Sequence, residues 1–201
     1  MLKLIVLLPL LGFLLNGVLG TRFSGQKVGK TFVTVVGCGL PLLSFFLAIS
    51  ATLTLAAGGY QPLVEPAWRW ASIGGSNFDI ALYFDRLTAV MALIVTGVGT
   101  LIHVYSVGYM AHDHGFARFF AYLNLFLFFM LTLVLGRSLL VLFVGWEGVG
   151  LASYLLIGFW FDDPANARAG KKAFVTNRVG DAGFLLGMFL LYGALGTLDM
   201  D

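Results

Sequence analysis

The sequence predicts an all-α integral membrane protein of about six transmembrane helices, with a short extracytoplasmic β-hairpin between helices 2 and 3. Three observations predict it. Of the 201 residues 59% are hydrophobic and 11% charged, where soluble domains carry roughly 25% charged residues. Mean hydropathy is +0.93. Six apolar segments lie at about 2–19, 31–56, 86–108, 117–136, 138–160 and 171–194, each near the ~20 residues that cross a hydrocarbon core. The 26 glycines fit this class, because membrane helices use small residues for close approach. Residues 1–201 read as the N-terminal part of a transmembrane domain.

The first segment resembles a secretory leader in having Lys3 and an apolar run. Its run is as long as a spanning helix, however, and Arg22, Lys27 and Lys30 follow it rather than precede it, so it reads as helix 1. Helix 2 carries Cys38, the single cysteine. No Cys/His spacing accompanies it, and a thiol in an apolar run reads as a small packing side chain.

The stretch 57–85 is too polar to span. Phe78, Ile80, Leu82 and Phe84 alternate with Asp79, Ala81 and Tyr83, the period-2 pattern of a strand. Gly74, Gly75 and Ser76 are a turn signal, and Tyr60, Trp68 and Trp70 suit a membrane interface. Between helices 5 and 6, Asp162-Asp163-Pro164 is a break. Asp163 is placed to cap the next helix, with Pro164 at its first position, and 165–170 forms a helical lead-in to helix 6.

Lys and Arg distribute unevenly between the two faces. Arg22, Lys27, Lys30, Arg118, Arg168, Lys171 and Lys172 fall on one, and Lys3, Arg69, Arg86 and Arg137 on the other. The positive-inside tendency places the first set in the cytoplasm, so the N-terminus and the hairpin face away from it. A net charge of +2 without a basic stripe gives no footprint for nucleic acid. No dinucleotide fingerprint or cysteine cluster is present, which excludes a soluble redox enzyme.

Ionisable residues within the hydrocarbon are functional candidates by default, because they are costly there. Glu147 lies in helix 5 and Asp181 in helix 6, each roughly 15 Å along its helix at ~1.5 Å per residue, so two consecutive antiparallel helices carry carboxylates at one depth. Arg178 precedes Asp181 by three residues and shares its face. Burial raises a carboxylate's pKa and a cation lowers it, so an acid whose cationic partner moves can load and release a proton. The alternative is a structural Arg178–Asp181 ion pair. Glu147 has no cation within a turn of its own helix and needs one from another helix. Gly145, Gly148 and Ala152 form a thin face on helix 5, and Gly180, Gly183 and Gly187 form one on helix 6. These faces are expected to bring helices close around the acids.

Thr96, Thr100 and His103 form a polar stripe on helix 3. His103 is a proton-handling candidate or a hydrogen-bonded packing residue. Lys171 and Lys172, at the cytoplasmic end of helix 6, either snorkel or feed protons toward Asp181. His112 and His114 flank Asp113 in a loop too loosely set for a metal site.

The run Gly145-Trp146-Glu147-Gly148-Val149-Gly150-Leu151-Ala152-Ser153-Tyr154-Leu155-Leu156-Ile157-Gly158-Phe159-Trp160 resembles the helix-5 signature of the largest antiporter-like membrane subunits of respiratory complex I (subunit L of bacterial NADH-quinone oxidoreductase, chain 5 in mitochondria). Lys171-Lys172-Ala173-Phe174-Val175-Thr176-Asn177-Arg178-Val179-Gly180-Asp181 resembles the segment after it, and Tyr83-Phe84-Asp85-Arg86-Leu87-Thr88 the start of helix 3. The resemblance implies a proton path in the membrane arm of an NADH:quinone oxidoreductase translocase. Glu147 would be its acid, paired with a lysine on a seventh helix beyond this sequence, with Arg178 and Asp181 as the helix-6 pair.

It implies other membrane-arm subunits and the lipid bilayer as partners. NADH, FMN, iron–sulfur clusters and quinone would sit in the rest of the complex, with no cofactor or metal in this chain. It implies a multi-pass protein of the bacterial plasma membrane or the mitochondrial inner membrane, of which this chain reads as the N-terminal part. Competing readings are a subunit of a multi-subunit cation/proton antiporter and a structural membrane scaffold.

Overall fold

In the computed structural model, residues 1–20, 29–73 and 76–200 are described. Arg22, Lys27 and the Gly74-Gly75 turn lie outside the described residues. Among the described residues six helices are long and apolar enough to cross a membrane. They are α1 (Leu2–Leu14, continued by a π-helical turn over Leu15–Leu19), α2 (Lys30–Ala57), α3 (Arg86–Tyr109), α4 (Phe116–Leu135), α5 (Leu139–Ile157) and α6 (Pro164–Leu195). An antiparallel hairpin, β1 (Leu63–Ile73) and β2 (Ser76–Phe84), joins α2 to α3.

The helix ends follow from local chemistry. Asp85 accepts a hydrogen bond from the Thr88 N–H at 2.8 Å and starts α3, and the Ser138 hydroxyl accepts from Val141 N–H at 3.3 Å and starts α5. Asp163 accepts from Ala165 N–H at 2.8 Å, with Pro164 in the first turn of α6. Each cap satisfies a backbone donor that the helix leaves unpaired. The lead-in and helix 6 are one continuous helix. Helix 5 ends at Ile157 rather than near residue 160: Gly158 is its C-cap, and the Phe159 N–H donates to Leu156 O at 3.2 Å in a tighter turn instead of continuing the helical ladder.

Helix α4 is the hub, packed against α1, α2, α3 and α5. Lipid is as apolar as these side chains, so close approach and polar links, rather than hydrophobicity, hold membrane helices together. A Cβ on Gly37 of α2 would stand 2.6 Å from the Phe120 ring, and one on Gly12 of α1 2.9 Å from Asn124 Cγ. At these contacts Asn124 donates to Gly37 O at 3.2 Å and to Phe120 O at 2.9 Å. Asn16 donates to Val33 O at 3.4 Å, and Ser44 to Ile5 O at 3.1 Å. These buried amides and hydroxyl link α1, α2 and α4.

The thin face of helix 5 packs differently from the sequence-based expectation. Gly145 and Gly148 meet Leu133 and Phe129 of α4, not α6. Around Gly180, Gly183 and Gly187 of α6 there is open space. The glycine faces therefore do not close around the acids. The two faces differ because α4 packs directly on that side of α5, whereas α6 is the least buried of the six described helices.

The hairpin is larger than the pattern over 78–84 alone indicated. Pro66 interrupts β1, which removes a ladder donor, and the register shifts on either side of Trp68. Residues 136–138 extend the edge of β2: Leu82 bridges Gly136, and Arg137 N–H donates to Ala81 O at 3.1 Å. The segment after α6 joins in turn through Ser138 and Asp199. The Met1 amine and Leu2 N–H both reach Glu65 Oε2, at 2.8 and 2.7 Å. Burial acts to raise the Glu65 pKa, but these hydrogen bonds, with the charges of the amine and Lys3, outweigh it and hold the carboxyl below its ordinary range. One end of the bundle is thus tied into a single platform.

At the opposite end Asp113 links two loops. Its Oδ1 accepts from Gly115 N–H at 2.6 Å and its Oδ2 from the Trp160 indole at 2.9 Å. These bonds, the Trp160 indole first, hold its carboxyl below the ordinary aspartate range. His112 and His114 beside it are exposed, and Cys38 is half-buried against the Phe116–Phe120 cluster.

Two outcomes follow. Gly148→Leu forces a side chain into Phe129 and is expected to cost about 1–3 kcal/mol, read as a lower Tm of the detergent-purified protein, whereas Gly183→Leu leaves Tm nearly unchanged. Because the Asp113 pKa is depressed on folding, its stabilisation is present above about pH 4 and is lost as pH falls through the folded value. The Tm difference between wild type and Asp113→Asn should therefore be constant from neutral pH down to about pH 5 and vanish in stronger acid.

Candidate functional site

Antiparallel α5 and α6 bring Glu147, Arg178 and Asp181 together midway along both helices. Arg178 Nη1 contacts Glu147 Oε2 directly and lies 3.6 Å from Asp181 Oδ2. One guanidinium thus serves two carboxylates from two helices. The cation that helix 5 lacks comes from α6, so the intrahelical Arg178–Asp181 pair is only half of the arrangement.

Two aromatic groups that the sequence reading did not single out complete the site. Trp146 donates its indole N–H to Asp181 Oδ1 at 2.7 Å, and its ring stacks on Phe184 at 6.2 Å between centroids, with Phe143 on the same ring at 5.4 Å. Phe174, one turn before Arg178, lies under the guanidinium at 4.4 Å, a cation–π contact. The signals were present: an indole N–H beside an intramembrane acid needs an acceptor, and Phe174 is at i−4 from Arg178.

The charge count gives the site its chemistry. With both acids ionised and Arg178 charged, the trio carries one net negative charge, and a lone charge in hydrocarbon is costly. The arrangement is neutral when one carboxylate holds a proton. Asp181 is buried, whereas the Glu147 side chain keeps 24% and Arg178 36% of its exposure, so Glu147 is the more reachable of the two acids. Asp181 takes a second bond from the Trp146 indole, whereas among the described residues Glu147 has Arg178 alone.

The other sequence candidates lie elsewhere. His103 is buried, with Nδ1 2.7 Å from Gly99 O, where it donates, and its ring against Phe120 at 6.3 Å. Among the described residues its Nε2 has no hydrogen-bond partner. Thr96 and Thr100 turn back to Ala92 O and Thr96 O on their own helix, at 2.6 and 2.7 Å. The stripe faces the α3–α4 packing, not the acid trio. Lys171 and Lys172 are exposed near the start of α6, two turns from Arg178. Among the described residues no group of three His, Cys, Asp or Glu is placed to hold a metal ion.

Comparison with known proteins places the chain in a family. Residues 70–120 match the family described as NADH-Ubiquinone oxidoreductase (complex I), chain 5 N-terminus. Residues 136–201, which carry the trio, match NADH:quinone oxidoreductase/Mrp antiporter, TM. The chain is 44% identical over 199 residues to NADH-quinone oxidoreductase subunit L of Escherichia coli (strain K12), covering 99% of this chain and 32% of that protein. It is 45% identical over 198 residues to subunit L of Mycobacterium tuberculosis (98% and 30% covered). It is 39% identical over 199 residues to NADH-ubiquinone oxidoreductase chain 5 of Allomyces macrogynus (98% and 30% covered). The chain thus spans about a third of the length of the curated relatives it matches.

Two solved structures share the fold at 24% identity. The membrane-bound sulfane sulfur reductase, an archaeal respiratory membrane complex, matches with a TM-score of 0.82 over 99% of this chain and 38% of that one. The Mrp complex from Dietzia sp. DQ12-45-1b matches at 0.77 over 98% and 20%. The chain belongs to the subunit L/chain 5 family of antiporter-like membrane subunits of NADH:quinone oxidoreductase.

Proposed function

We propose that this chain carries part of a proton-translocation path in the membrane arm of an NADH:quinone oxidoreductase, a translocase whose redox centres lie in other subunits. The observation that carries the proposal is one guanidinium shared by two carboxylates on facing helices. When Arg178 sits on Glu147 the glutamate is held ionised. When Arg178 withdraws toward Asp181, Glu147 is left in a low-dielectric setting and takes up a proton. The cycle moves a proton without moving an electron, so no cofactor is required of this chain. Trp146 keeps Asp181 in place as the alternative seat of the cation. Lys171 and Lys172 are proton-path candidates at the start of α6, and His103 one on α3. Other membrane-arm subunits are the partners. The hairpin platform and the N-terminus face away from the cytoplasm, in agreement with the distribution of Lys and Arg.

A cation/proton antiporter subunit is the second reading, favoured by the family description that names Mrp antiporters for residues 136–201. The same trio would serve it.

In membrane vesicles carrying the assembled complex, Glu147→Gln should lower NADH-driven proton uptake by roughly tenfold or more while the complex stays intact on a native gel. Unchanged uptake would overturn the role, and loss of assembly ahead of coupling would assign Glu147 to the scaffold. Trp146→Phe keeps the ring stack but removes the bond to Asp181. It should cost about 1 kcal/mol, seen as a partial, severalfold fall in coupled turnover.

A further inference from the structure

At the end of the bundle opposite the hairpin, α4, α5 and α6 enclose a cavity of about 170 Å³. Its wall includes Tyr122 of α4, Tyr154 of α5, Phe159 and Phe161 of the following loop, and Ala167 and Lys171 of α6. Arg118 braces the loop side: it donates to Phe159 O at 3.3 Å and lies over the Phe159 and Phe161 rings at 4.7 and 4.9 Å. Tyr122 and Tyr154 are half-buried, and among the described residues neither hydroxyl has a protein hydrogen-bond partner. A phenol in a partly enclosed site without a protein partner needs water. The volume is well above the ~10–15 Å³ that admits one water. Lys171, exposed to solvent, marks the mouth.

The cavity lies about two helical turns from the acid trio. Tyr154 is seven residues after Glu147, two turns along one face of α5, hence about 10 Å away. Lys171, Phe174 and Arg178 follow the same spacing on the facing side of α6. The Phe174 ring stands between the two sites: it touches the Tyr154 ring at 5.5 Å and lies under Arg178 at 4.4 Å.

We propose that this cavity is the water-filled entrance through which protons reach Glu147, with the Tyr154 hydroxyl as the relay at its inner wall and the Phe174 ring as the plug beyond it. A protonated water gives its proton to the Tyr154 oxygen as the phenol's own proton passes to an inner water and then to the Glu147 carboxylate. Each O–H bond formed is matched by one broken, and no electron is transferred. Because the plug lies under the guanidinium, movement of Arg178 off Glu147 frees the ring at the moment the glutamate becomes a proton acceptor. The inference rests on the proton-path reading of Glu147.

The test compares Tyr154→Phe, Tyr122→Phe and Glu147→Gln in membrane vesicles carrying the assembled complex. Proton uptake, NADH oxidation and the solvent deuterium isotope effect on coupled turnover are measured for each. Tyr154→Phe should slow coupled uptake severalfold and raise the isotope effect, since a proton step at the entrance becomes limiting; a packing role would not move the isotope effect. Tyr122→Phe should act in the same direction and carries the test if Tyr154→Phe fails to assemble. Wild-type rates and isotope effects in both tyrosine variants, with Glu147→Gln inactive, overturn the entrance and leave the proton-path reading standing. Wild-type behaviour of Glu147→Gln overturns both.

Discussion

Everything distinctive about this molecule depends on one guanidinium held between two carboxylates in a setting that tolerates no stray charge. Arg178 is one cation for two acids, Glu147 and Asp181, and the proposed proton-path reading makes a proton the third partner of the trio. On that reading the shortage is what distinguishes the proposed relay from a structural lock. A single Arg–Asp pair is neutral, and nothing drives it to change. Two acids competing for one cation have two arrangements of similar charge, differing in which carboxylate is left to bind a proton.

The surrounding packing treats the two acids differently. Asp181 is buried and fixed by the Trp146 indole, which is itself set by its stack on Phe184. Glu147 has no comparable bond beyond Arg178. Its helix is anchored on the far side, where Gly145 and Gly148 press against α4. The face of α5 that carries the acid can therefore be precisely placed in depth without being enclosed. The open glycine face of α6 has the same consequence on the other side of the site.

Two polar ends frame this interior. On one, the hairpin, the 136–138 segment, the stretch after α6 and the Met1 amine are stitched by backbone bonds and by Glu65. On the other, Asp113 and Arg118 tie the α3–α4 loop to the loop after α5. Backbone groups outside helices are confined to these ends, where water is available to them.

The sequence by itself determined the membrane class, the six spans, the hairpin's existence, the Asp163-Pro164 break and the depth of the acids. These depend on length, apolar period and capping, all local along the chain. The strand at 78–84 was legible by alternation, whereas β1 was obscured by Pro66. The tertiary structure decided what spacing along one helix cannot state: the rotation of each helix about its own axis against its neighbours. Rotation is set by which small residues meet which bulky ones, so Gly148 found Phe129 rather than α6, and His103 found Phe120 rather than the acids. The same rotations put Arg178 on Glu147 and Trp146 on Asp181, because the long arginine and indole side chains reach across a helix pair in ways that no period in the sequence encodes.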